Sequence, residues 1–515
     1  MLSFVAMFDI IITEKNFIKK VKNMYLNITS RAGNRKYLSI VHGYRDENGK
    51  VRKKTIQSLG YLDELEKEYE DPILHFKAVA KEMDVQRKQK TAGYSLCLHK
   101  QEELSLGTDN TKNFGYAALS KIYHELKLNS FLKNRQRHIE NRFDANAILQ
   151  ALVYLKIISP DSDKSFFRNR NLLFEKSSET RDEFYQGLLF LYHLKPDLHK
   201  WINEQIERNG MRDNTMVYYN IQNYCSPSHV IRVGMFTDRA LMPVTYDLFP
   251  CTSNYTSAFR PNFPEIKKHF NMKRMITVSN KAINNGDNIW KILNTPTNDG
   301  YIFNMPAHSA DCELKQYILD DDGYEWIGED YKRKSRIYSR LINITLEDGR
   351  TMSKVIEEKQ VIFYSEKYAK RAKDSVFDGY YILLTSECEE NDDAIIEMYR
   401  GLWEAESAFH LTKQQLETRP SCISVHNYIE INLLSCFVAM VLMKILQRKT
   451  NNQYSVTQLK DAMLRANCTH IQENLYLFSY YDKVLQTLTE VTGVPFDRKI
   501  LPLGEIKQLL ANTKK

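Results

Sequence analysis

The chain has 515 residues, 43% of them hydrophobic and 26% charged, with a net charge of +8. That balance belongs to a globular protein with several cores, and at roughly 100–200 residues per domain it predicts three or four units. The modest positive excess admits a polyanionic partner without demonstrating one.

Eight cysteines stand at 97, 225, 251, 312, 388, 422, 436 and 468. None forms a C-x-x-C pair and no nearby histidine pair completes a zinc set, so they read as reduced, mostly buried thiols. The opening MLSFVAMFDIIITEK carries Asp9 and lacks a basic start, which makes it a poor signal peptide. Residues 1–23 read as an N-terminal extension of the domains that follow.

From Met24 to Gly60, alternating runs joined by AGN and ENG predict a small antiparallel sheet in a module spanning 24–61. It is basic: Arg35, Lys36, Arg45, Arg52, Lys53 and Lys54 lie along it. They are candidates for DNA contact as well as for a solvated face. Residues 62–210 read as helical, on the apolar spacing of FGYAALSKIYHEL, FDANAILQALVYLKII and DEFYQGLLFLYHL, with a polar link over 91–113.

Near residue 214 the period changes to two. NTMVYYNIQNY, HVIRVGMFT, MPVTYDLF and RMITVSN predict strands, with helices near 261–270 and 286–294. A second β-rich stretch holds YIFNMPA, SRIYSRLINITL and KQVIFYS; then DGYYILLTSE reads as a strand and 392–417 as a long helix with an acidic start. The apolar run from Ile431, broken by Asn432 and Lys444, reads as a buried helix and not a membrane span. The tail reads as helical with one extended piece at LYLFSY.

On the 392–417 helix, Tyr399, Leu402, Glu406 and Lys413 fall within a wedge of roughly 60°, so a phenol, a carboxylate and an amine share one stripe. The segment YRGLWEAESAFHLTKQQLETRP resembles the Y-x2-R-x3-E-x6-K signature of bacterial insertion-sequence transposases of the DDE class. Tyr399, Glu406 and Lys413 occupy three of its four named positions, and Leu402 stands where the arginine belongs. Tyr25–Gly60, GTDNTKNFGYAALSKIYHEL, YDLFPCTSNYTSAFRP and QENLYLF resemble the same enzymes, so the likeness runs along nearly the whole chain from Met24.

The resemblance implies a ribonuclease H-like catalytic domain. In it two aspartates end neighbouring strands, and with a helical glutamate they hold two Mg²⁺ or Mn²⁺ ions for phosphodiester chemistry. The first aspartate position falls on Asn220 in YNIQNY and the second on Asn280 in ITVSN. The triad therefore reads Asn220, Asn280, Glu406. An amide oxygen coordinates but carries no net charge, so metal binding is expected to be weak or absent. Asp213, Asp238, Asp247 and Asp287 are the nearby acids that could substitute. After Asn223 the connection CSPSHV is short for the family, a block is missing near Lys373–Asp378, and Tyr428 and Asn432 stand where histidines are common.

The resemblance also implies double-stranded DNA as partner, with terminal inverted repeats as the specific target, a homodimer, and a bacterial cytoplasmic, nucleoid-associated location. Phosphate partners would be the module's basic residues, Lys332, Arg333, Lys334 and Arg336, and Lys413 with Arg419. The expected fold is α+β and multidomain: a ribonuclease H-like domain over 211–298 and 376–450, a β-rich insertion over 299–375, and a helical region over 451–515. Three readings stand side by side: a catalytically impaired DNA-binding protein, a working transposase, and a decayed remnant.

Overall fold

A computed structural model describes residues 24–31, 33, 35–45, 51–91, 103, 105–139, 142–159, 166–175, 179–226, 229–250, 263–280, 284–327, 331–346, 348–366, 376–408, 424–472 and 474–515. The chain divides into two compact units, Met1–Ser105 and Leu106–Lys515. The extension 1–23 and the Asn48-Gly49 turn lie outside the described residues.

In the first unit, β1 (Met24–Ser30), β2 (Lys36–Arg45) and β3 (Val51–Tyr61) form an antiparallel sheet with β2 central. The helix Pro72–Thr91 belongs to this unit. Its Asp84 is buried and accepts the Met24 amide at 2.8 Å. A boundary at 61 therefore misplaces this helix. Its apolar face, through Phe76 and Ala80, is buried like Leu38 and Ile40 of β2.

The second unit is built on one sheet. Among the described residues nine strands join in the order β10-β11-β12-β13-β9-β8-β5-β6-β7. They are β5 (Val217–Ser226), β6 (His229–Asp238), β7 (Pro243–Pro250), β8 (Met275–Asn280), β9 (Gly300–Met305), β10 (Glu325–Trp326), β11 (Tyr331–Thr345), β12 (Thr351–Ser365) and β13 (Tyr380–Thr385). β8 runs parallel to both β5 and β9, and the other pairings are antiparallel. The stretch expected as a separate insertion over 299–375 thus extends the central sheet: β9 pairs with β8, and β13 joins β9 to the long β11–β12 hairpin. The apolar period of two in these strands says that they are strands; it is silent on which edge they join.

Alternation along the strands separates two cores. Val217, Tyr219, Met275, Tyr301 and Phe303 pack beneath the helices Phe263–His269 and Gly286–Leu293. Tyr218, Ile276, Val278, Ile302 and Phe363 pack against Ile395, Ile396, Met398 and Tyr399 of the helix Asp392–Ala408.

A helical body covers the β6–β7 side. It combines the expected helices, seen at Tyr116–Glu125, Ala145–Ile158 and Arg181–Arg208, with Val425–Lys449 and the tail in one continuous core. The two regions expected to be separate, 62–210 and 451–515, are therefore interlocked from residue 111 on. β4 (Thr111–Asn113) pairs with β14 (Asn467–Gln472) in a four-stranded sheet completed by β15 (Leu475–Phe478) and β16 (Ile500–Pro502). Asn113 Nδ2 donates to the Met463 carbonyl at 2.9 Å and to Asn467 Oδ1 at 3.0 Å. The apolar helix His426–Lys449 is long enough to cross a membrane, but 94% of its apolar window is buried in this body.

Two ion pairs, one buried and one partly buried, bind the layers. Arg212 pairs with Asp238 at 3.1 Å and also donates to Asn203 and to the carbonyls of Met242 and Pro243, fixing the chain where the helical body passes into β5. Lys195 pairs with Glu430 at 2.9 Å and lies over the Tyr246 ring.

Gly115 opens the first helix of the body against the backbone of Met463, and a Cβ there would collide with that backbone. Gly115→Ala is expected to cost about 1–3 kcal/mol by forcing the interlocked segments apart. Denaturant unfolding tests this. An unchanged midpoint would mean that the two segments do not meet as described.

Candidate nucleic-acid and metal site

Asn220 and Asn280 stand on the two neighbouring parallel strands at the middle of the sheet. Asn220 pairs in register with Val278, so position 280 lies two residues further along β8, opposite Asn304 of β9. Asn220 shares the parity of Tyr218, and position 280 that of Ile276 and Val278, on the side covered by the Asp392–Ala408 helix. Asn220 is 9% exposed and lies at a seam. Tyr218, two residues before it, packs beneath that helix, while Met235, the cross-strand partner of Asn220 on β6, belongs to the helical core.

Tyr399 is buried in the same core. Glu406 follows it by seven residues on the same helix, which returns to the same stripe two turns, or roughly 10 Å, along. The side of the sheet that carries Tyr218, Ile276 and Val278 is thus the side covered by the helix on which Glu406 lies. The side chains of Asn280 and Glu406, and all of Lys413 and Arg419, lie outside the described residues. The helix expected over 392–417 is described as far as Ala408.

Three of the four acids expected as possible substitutes at the triad take part in other contacts. Asp238 is fully buried, paired with Arg212, and accepts the amides of Ala240, Met242 and Asp213. Asp287 accepts the Thr345 amide, tying its helix to β11. Asp213 accepts the Thr215 amide at 2.9 Å. Asp247 pairs in register with Gly234, one strand further from β5 than β6 is. Among the described residues no group of three or more His, Cys, Asp or Glu could hold a metal ion.

A buried acid outside the motif sits on the opposite side of the sheet. Glu358 on β12 is fully buried, accepts from Tyr301 Oη at 2.9 Å and pairs with Arg340 at 3.0 Å. Burial pushes its carboxyl up from the ordinary range. Its position within an alternating strand gave no signal of this partnership, since the two partners come from β9 and β11.

The expected phosphate contacts fall into two groups. In the first unit, Lys36, Arg52, Lys53 and Lys54 are exposed. Lys53 donates to Asn27 at 3.2 Å, and the side chain of Arg45 lies outside the described residues. Arg35 is already paired with Asp63 and Glu64 and lies 4.0 Å over the Tyr61 ring.

The cluster Lys332–Arg336 requires correction, because its charges are largely taken up within the fold. Lys332 is buried, paired with Asp321 at 2.9 Å and set 4.3 Å from the Tyr324 ring. Lys334 is buried between the rings of Tyr317 and Tyr324, each 4.2 Å away, and burial lowers its pKa. Arg333 meets Asp393 and Glu325; Arg336 meets Glu313 at 3.1 Å and Gln360 at 2.9 Å. A run of basic residues on a strand cannot reveal that tyrosines from another element will box them in.

Residues 26–94 match the family model described as the IS1634 family transposase, N-terminal domain. The match takes in the three-stranded sheet and the helix packed with it. No curated protein matches the chain. Among solved structures, a cryo-EM structure of a piggyBac transposase synaptic complex with hairpin DNA is similar at 10% identity and a TM-score of 0.33, over 77% of this chain and 83% of that one.

Replacing both Lys332 and Lys334 by Met is expected to lower stability by about 1–3 kcal/mol through lost cation–π contacts and hydrogen bonds. In a titration with duplex DNA, the salt slope of the variant should equal that of the unaltered chain. A salt slope reduced by about two would show instead that both ammonium groups reach phosphate.

Proposed function

We propose that the chain is a transposase-family protein of an insertion sequence that binds DNA and whose cleavage chemistry is impaired. The observation that carries this is the pairing of β5 with β8. It puts Asn220 in register with Val278, two residues before position 280, on strands whose Tyr218, Ile276 and Val278 pack against the helix on which Glu406 lies, and this supports the reading. The resemblance to DDE transposases requires this placement, two residues on neighbouring strands and a third on a helix. The family match over residues 26–94 supports the same ancestry from the other unit.

In this reading the sheet unit is ribonuclease H-like. A divalent ion would supply Lewis-acid stabilisation at a phosphodiester, and Glu406 would be its remaining anionic ligand. The described residues fit such a pair of ions poorly, because nearby acids are held in structural bonds and position 220 offers an amide. Losing two carboxylates removes two negative charges from a site for two dications, which costs several kcal/mol and many orders of rate. The chain's own residues would bind and orient DNA, through Lys36, Arg52, Lys53 and Lys54 of the first unit and through Lys413 and Arg419 beyond the glutamate. A cytoplasmic location and action as a homodimer go with this reading.

Gel-shift titration of the full chain against its flanking terminal inverted repeats is the direct test of recognition. A preference for the repeats over scrambled duplex at moderate salt is expected. Indifference to sequence would favour a remnant without selected binding. The metal deficit has a separate test: Asn220→Asp with Asn280→Asp should raise Mg²⁺ affinity at least tenfold by calorimetry, at about 1.4 kcal/mol per factor of ten. Tight stoichiometric Mg²⁺ binding by the unaltered chain would instead identify a working transposase.

A further inference from the structure

A groove of about 900 Å³ opens on the side of the sheet away from Glu406, between the helix Phe263–His269 and the segment Lys291–Asp299. It lies where the chain enters β8 and β9, since Met272, Lys273 and Thr295–Asp299 immediately precede those strands. Asn280 and Asn304 stand at the other ends of the same strands, roughly 17–20 Å away.

The groove combines two chemistries. Phe263, Pro264, Met272 and Pro296 line it with apolar surface. Lys268, Lys273 and Lys291 line it too, and all three are exposed. Among the described residues no ion pair takes up any of these three. The acid in the lining, Asp299, is already satisfied: it pairs with buried Lys267 at 2.6 Å and accepts the Met275 amide and the Thr297 hydroxyl. The free positive charge is therefore surplus over an apolar floor. A volume of this order holds a ligand of a few hundred daltons. Ammonium groups recognise phosphate, and flat apolar walls of aromatic and methionine side chains take a planar ring.

We propose that this groove binds a nucleotide, with the phosphate on Lys268, Lys273 and Lys291 and the base against Phe263 and Met272. The nucleotide is either free in solution or the unpaired end of a nucleic-acid strand; both present the same chemistry. The site is independent of the triad positions, so it stands or falls apart from the reading of the metal site.

The test is calorimetric titration of the full chain, in EDTA, with ATP and separately with a short single-stranded thymidine oligonucleotide. Pyrophosphate and adenosine serve as fragment probes. At least one nucleotide-bearing probe is expected to bind more tightly than either fragment. Lys268→Ala with Lys273→Ala and Lys291→Ala should weaken it at least about tenfold, as expected for lost hydrogen bonds to charged groups, with the thermal midpoint unchanged. The corresponding triple Arg variant should restore binding to within about threefold, because the charge is kept. ATP binding identifies free nucleotide as the source; binding of the oligonucleotide alone identifies a strand end. Three results overturn the proposal: no binding of either probe, pyrophosphate binding as tightly as ATP, or binding unchanged in the triple Ala variant. Asn220→Asp with Asn280→Asp should leave these affinities as they are.

Discussion

The parallel register between β5 and β8 is the constraint on which the candidate site depends. Outside the ladder, the Val217 amide donates to the Arg274 carbonyl at 2.8 Å and the Lys273 amide to the Asn214 carbonyl at 3.0 Å, so pairing is set before either strand begins. Asp299 holds the Met275 amide from the side of β9, and the Arg212–Asp238 pair anchors the approach to β5. A slip of one residue would turn every side chain of the slipped strand to the other face. Asn220 would then exchange the seam beside the Asp392–Ala408 helix for the opposite core. Both cores oppose such a slip, because Tyr218 and Tyr219 fill them from alternate sides.

Within that frame, charge is what a site for divalent ions would need. The fold does keep buried acids, but each described one has a cation or a donor of its own: Asp238 with Arg212, Asp299 with Lys267, Glu358 with Arg340 and Tyr301. These acids hold layers together. An uncompensated cluster of carboxylates is costly to bury unless a cation neutralises it. In the proposed reading, amides at 220 and 280 spare the strand ends that cost and weaken the pull on a dication.

The strands and most helices were legible because their apolar residues recur at two or 3.6 residues, and those periods survive in the structure for β5 to β9 and for Arg181–Arg208. The choice of Asn220, Asn280 and Glu406 as triad positions came from a resemblance, not from periodicity. What sequence could not show is long-range partnership. The pairing of β4 with β14 closes a loop of more than three hundred residues. The joining of β9, β13 and β12 to the central sheet depends on edges that no local pattern encodes. The cluster at Lys332–Arg336 failed for the same reason. A basic run looks like a DNA surface until Tyr317 and Tyr324 arrive from the preceding segment to box it in.

The most direct measurement of the central claim is anomalous diffraction from crystals of the unaltered chain grown with Mn²⁺. Weak or no anomalous density between positions 220, 280 and 406 is the result that the proposed loss of two carboxylates predicts. Two full-occupancy ions, a few ångströms apart and ligated there by acidic oxygens, would contradict it.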